Sequence, residues 1–235
     1  MATTLAQLAD ICQEQLSDSG AGTWTQATVE GWVQEAIRDY SVHFPRLKEY
    51  TINCNDDVHE YPLPVDFLGA TLVEYPDGED PPEYLTRLSR TDPAFWLSAD
   101  YYDLYVTGDA TESGAVAGES ANDLLIVSAD TASGEDIILQ YRARHNDALA
   151  SGGEVTVPAH HFDLIVTFVT WRAWVERLAA EEQAPDQTTL LLSQLASNAD
   201  RAHRRYTEAL NRAKAARSDT GITDPWRSDI HDPIY

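Results

Sequence analysis

The segment HFDLIVTFVTWRAW, residues 161–174, constrains this sequence more than any other. From Phe162 to Trp171 its apolar residues fall on nearly every side of a helix, so other elements must cover several of its faces. Candidate covers are visible as amphipathic stripes. Residues 4–19 place Leu5, Leu8, Cys12 and Leu16 at helical spacing, with Thr4 and Gln7 set as a capping box and Gly20 at the left-handed end. In TVEGWVQEAIRDYSVHFP, residues 28–45, the stripe is Val29, Trp32, Val33, Ala36, Ile37, Tyr40 and Phe44, with Thr25 as N-cap and Pro45 as stop. Gly31 inside that helix costs roughly 1 kcal/mol relative to Ala, which points to a close helix approach. Beyond Pro185, Leu191, Leu195, Ala199, Ala202, Tyr206, Ala209 and Ala213 recur every three to four residues, so residues 158–183 and 187–217 form an antiparallel helical hairpin.

Between these helices the period changes to that of strands. YTINCNDDVHEYPLP reads as two short strands around an Asn/Asp turn, and GATLVEY, EYLTRL, YDLYVTGD, DLLIVSA and EDIILQYRAR as further strands. Asp92 and Pro93 open a helical turn. Residues 110–122, rich in Gly, Ser and Ala without periodicity, read as a mobile loop. The expected fold is α+β: a single domain over 1–217 with a helical bundle (4–19, 25–44, 158–183, 187–217), a long C-terminal helical hairpin and a small antiparallel β-sheet insertion at 50–144. An extended C-terminal tail follows at 218–235.

Charge narrows the function. The formal net charge is -23, from 39 acidic and 16 basic residues, which argues against a free polyanion-binding protein. Only Lys48 and Lys214 are lysines. Abundant carboxylates with almost no lysine point to a halophilic host, where salt screens self-repulsion; a GC-rich genome is the competing source of the arginine bias. Cys12 and Cys54 are too few for a disulfide framework and are expected reduced and buried. No apolar run is long enough to span a membrane, and MATTLAQLAD lacks the basic start of a secretory signal, so a cytoplasmic protein with no membrane partner is expected.

Catalytic signatures are missing. NDDVHE, residues 55–60, cannot complete a calcium loop, because Val58 and Pro64 stand where Gly and Glu belong, and reads as a solvated turn. His160 and His161 point to different helix faces, and His160 reads as structural. Nucleophile-elbow and phosphate-loop patterns are both lacking. The chain is therefore read as no enzyme, with no catalytic, metal or cofactor-binding residues and no cofactor. What stands out is the last helix, where Arg201, Arg204, Arg205, Arg212, Lys214 and Arg217 outnumber Asp186, Asp200 and Glu208. Those cations suit a solvated helix C-terminus, or a contact with a copy of this chain, an acidic partner or a DNA backbone.

Three stretches then resemble one family. TVEGWVQEAIRDYSVHFP is similar to an early tryptophan-anchored helix, EYPLPVDFL (60–68) to a turn leading into a sheet, and ILQYRARHNDALASGGEVTVPAHHFDLIVTFVTWRAW to a strand, loop and proline opening a long helix. Together they resemble the head-to-tail adaptors (head completion or tail accessory factors) of tailed double-stranded DNA viruses, from about Ala2 to Arg217. The extreme acidity and the loop at 110–122 depart from that family. The resemblance implies a virion protein of the head-tail junction, assembled in the host cytoplasm as a ring, dodecameric in that family, beneath the portal protein. It also implies contact with the next tail or head-completion protein, DNA passing through the lumen without sequence-specific binding, and no catalysis. Within that picture Pro225, Trp226, Arg227, Ile230, Ile234 and Tyr235 would form a portal-docking tail, the basic helix would face a neighbouring subunit or DNA, and Glu30, Glu35, Arg38 and Asp39 would meet the neighbouring subunit. The rival reading is a cytoplasmic helical scaffold or regulatory protein that binds an acidic partner; a halophilic hydrolase stands behind it.

Overall fold

The computed structural model describes residues 3–20, 24–106, 119–147, 149–183 and 189–219. They fall into two compact units, Met1–Phe44 with His145–Tyr235, and Pro45–Arg144.

The first unit is helical. Helix α1 (Leu5–Ser19) starts at the Thr4/Gln7 capping box, with both reciprocal bonds made, and ends at Gly20, whose φ of 73° is left-handed. Helix α2 (Gln26–His43) is capped by Thr25, whose side chain accepts from the Thr28 N–H. After a short 3-10 turn (Ala159–His161) come α3 (Phe162–Glu182) and α4 (Thr189–Asp219). The helical reading of 218 and 219 corrects the tail boundary, because α4 runs on through them. As the apolar periphery of α3 demanded, Asp163 is the single exposed residue between Phe162 and Trp171. Helices α1, α2 and α4 supply the cover: Leu8 and Cys12, Val33 and Ile37, and Leu195 and Ala202 share one core with Ile165 and Val169. Along the hairpin the Phe168 ring meets Tyr206 edge-on at 5.4 Å, and Trp171 lies 4.7 Å from His203. Gly31 does not mark a close approach among the described residues: a Cβ built there meets none of them within 4 Å.

The second unit holds two sheets. In one, β1 (Arg46–Asn53), β7 (Asp136–Ala143) and β3 (Phe67–Glu74) lie in the order β1-β7-β3, all antiparallel. In the other, β2 (Glu60–Pro64), β6 (Glu119–Val127), β5 (Tyr101–Tyr105) and β4 (Thr86–Arg87) lie in the order β2-β6-β5-β4. Both sheets feed one core, with Ile52, Val73, Ile137 and Leu139 from the first and Tyr61, Leu63, Leu125 and Val127 from the second.

Several strand expectations are corrected. The sheet segment begins at Arg46 and not at residue 50. The two strands read around the Asn/Asp turn are present and belong to different sheets, β1 pairing with β7 and β2 with β6. EYLTRL yields only the two-residue β4, parallel to β5, because its backbone bonds divide between the sheets: Leu85 N–H donates to Val73 O (2.8 Å) and Thr86 N–H to Asp100 O (2.7 Å). Residues 119–122, read as loop, belong to β6, while 107–118 lie outside the described residues. The NDDVHE turn is a turn as read. Asp57 adopts φ 56°, and Thr131 Oγ1 sits 2.8 Å from Asn55 O and 2.7 Å from Val58 O.

Candidate interaction surfaces

Helix α4 buries Leu195, Ala199, Ala202, Tyr206, Ala209 and Leu210, so small side chains face its neighbours and the charged ones turn outward. Arg201, Arg204, Arg205, Arg212 and Lys214 are exposed and Arg217 is half-buried. Among the described residues, Arg201, Arg204 and Arg205 form no ion pair. Lys214 and Arg217 of the same row lie near the end of α2. Burial, then the Lys214 charge, lowers the pKa of His43, with Asp39 opposing; burial lifts Tyr40 to about 12, with Arg217 opposing.

Arg201 and Arg205, one helical turn apart, line a groove of about 450 Å³ between α1, α3 and α4. Asp163, Thr167 and Thr170 of α3 line it as well, with Gln15 of α1. Both threonine hydroxyls donate back to their own helix, Thr167 to Asp163 O (2.9 Å) and Thr170 to Val166 O (2.8 Å), which leaves their oxygens as acceptors. Val166, Trp174 and Ala202 add apolar surface. Two guanidiniums beside one carboxylate, hydroxyls and an apolar patch suit an acidic side chain with an apolar neighbour.

The polar face of α2 is engaged within the unit. Ser151 Oγ donates to Glu30 (2.8 Å), Arg172 Nε to Glu35 (3.1 Å) and Arg38 Nε to Asp147 (2.6 Å), and Tyr206 donates its hydroxyl to Asp39. Arg38 alone of the four is exposed. The partners lie more than a hundred residues away in sequence, so no local pattern announces them. Sequence reasoning also missed a buried node at the end of α2. There Ser41 Oγ donates to Ile37 O (2.7 Å) and accepts from the His145 N–H (3.0 Å), while His145 Nε2 donates to Phe44 O (2.9 Å). The bonded histidine of the adjacent pair is His161, whose Nδ1 lies 2.6 Å from Tyr40 Oη; His160 is exposed. Pro225, Trp226, Arg227, Ile230, Ile234 and Tyr235 lie outside the described residues.

Cys12 and Cys54 are both free and buried, and burial pushes the Cys12 thiol up to about 12. No helix among the described residues is long and apolar enough to cross a membrane. The SU10 adaptor protein family model matches residues 3–228. The chain belongs to that family. The SU10 adaptor family is one of structural phage adaptors and not an enzyme class, which implies a component of a tailed-phage virion that interacts with other head or tail proteins. No curated protein matches the adaptor chain.

Proposed function

We propose that the chain closes into a ring, dodecameric as the family resemblance implies, beneath the portal protein, joins it to the tail and leaves a channel for DNA. The observation that carries the reading is a row of exposed cations on α4 in a chain of net charge -23. A ring needs unlike lateral faces that meet head to tail, and a basic helix against an acidic body supplies them. Arg201, Arg204, Arg205, Arg212, Lys214 and Arg217 are assigned to that lateral contact, with Glu30, Glu35, Arg38 and Asp39 opposite, Arg38 being the most accessible of these. The acidic remainder suits a lumen that repels phosphates and lets DNA slide, and the lysine-poor charge suits a halophilic host. Residues 218–235, with Trp226, Ile230, Ile234 and Tyr235 as apolar anchors, dock the portal.

Mixing the full chain with purified portal protein in high salt and weighing the complex tests this. The expected product is a portal bearing a fixed number of copies, lost when residues 218–235 are deleted. A chain that stays single in the presence of portal fits the scaffold reading and overturns this one.

A further inference from the structure

We infer that the Arg201/Arg205 groove receives the loop of residues 76–84 from a second copy of this chain. Two unpaired guanidiniums need carboxylates that are free to answer them. Those of α2 are engaged in their own unit: Glu30 accepts from Ser151, Glu35 from Arg172 and Asp39 from Tyr206. The loop PDGEDPPEY, residues 76–84, offers Asp77, Glu79, Asp80 and Glu83 with no Lys or Arg between them. All four are exposed and form no ion pair among the described residues. Apolar neighbours are built in, since Pro81, Pro82 and Tyr84 are exposed beside those carboxylates. They complement Val166, Trp174 and Ala202, which line the groove with the arginines. The loop is also shaped in advance, so docking has little left to order. Tyr75 N–H donates to Glu83 O (3.1 Å), which closes its base, and Asp77 N–H donates to Asp136 O (3.0 Å), which ties it to the start of β7. Pro76, Pro81 and Pro82 restrict the backbone between. Size agrees: a groove of about 450 Å³ takes the tip of such a loop. DNA fits poorly, because Asp163 lines the groove and the chain carries a net charge of -23.

The occupant is a second copy because one chain carries both halves of the contact, the groove in its helical unit and the loop in its strand unit. Unlike patches of this kind join copies head to tail. The inference deepens the proposed function, and rests on it for the closure of these contacts into a ring.

The test weighs the full chain at about 0.1 M salt, where charges are screened beyond about 10 Å, with and without purified portal protein. Wild type should gather into multimers, alone as its concentration rises and on the portal. Arg201→Gln/Arg205→Gln and Glu79→Gln/Asp80→Asn should each weaken that association by about tenfold or more. An equimolar mixture of the two variants should form pairs and grow no further, because the intact loop of one still fits the intact groove of the other. Those pairs also show that both variants fold. Either variant associating as wild type does, or a mixture that yields no pairs, overturns the inference. Duplex DNA that binds wild type and not the arginine variant assigns the groove to nucleic acid and overturns it as well. Variants that still load the portal with the wild-type number of copies remove the groove contact and leave the ring standing. Wild-type pairs that never gather on the portal keep the contact and remove the ring, and a wild type that stays single under both conditions overturns both.

Discussion

Gly31 and His161 show how single residues carry the account. Gly31 sits mid-helix in α2 with open space where a Cβ would go, so its flexibility serves no contact. Gly31→Ala should therefore stabilise the protein by about 0.5–1 kcal/mol, through the smaller backbone entropy loss of alanine, read as a raised denaturant midpoint. A destabilised variant would show that the face is occupied. His161 has its pKa lowered below 6.5, first by burial and then by the His160 charge, with Asp163 opposing. As pH falls below 6.5 the unfolded chain takes up that proton before the folded one, so stability decreases from there down to the lowered folded value. Protonation makes Nδ1 a donor toward the Tyr40 oxygen. His161→Gln should flatten the stability profile on the acid side of pH 6.5 relative to wild type; parallel profiles would refute the coupling. At the alkaline end Tyr40, raised from 10.0 to about 12, makes stability fall as pH rises across that interval.

At the scale of elements, the node at the end of α2 ties that helix end to His145 within the helical unit. Ser41 is 1% exposed, so Ser41→Ala leaves a buried His145 N–H without that acceptor. The expected loss is about 1–3 kcal/mol in thermal or denaturant unfolding; a cost near zero would mean the node is slack. Legibility divides along the same line. Helices α1 and α2 were readable to within a residue or two because their signals are local: a capping box, a left-handed glycine, a proline stop, a 3.6 period. The encirclement of α3 was readable because an all-round apolar helix admits no other environment. Sheet pairing was not, since YTINCNDDVHEYPLP looks like a hairpin locally while Ile52 pairs with Ile137 and Tyr61 with Leu125. The groove was half readable. Its arginines stood out by composition, but Asp163, Thr167 and Gln15 join them only through helix packing.

For the whole molecule, the property that matters most is charge: a row of cations on α4 in a chain of net charge -23. Cations on one helix of an acidic chain suit copies that meet in one orientation, as the proposed ring requires. Membership of the SU10 adaptor family places the chain in a tailed-phage virion; the ring, its portal contact and its channel make up the central claim. Imaging assembled particles with this chain located tests that claim most directly. The account predicts a closed ring of this chain between portal and tail, with α4 of each copy against an acidic face of the next and DNA passing through the centre. Copies scattered elsewhere in the particle, or a single copy at the junction, would contradict it.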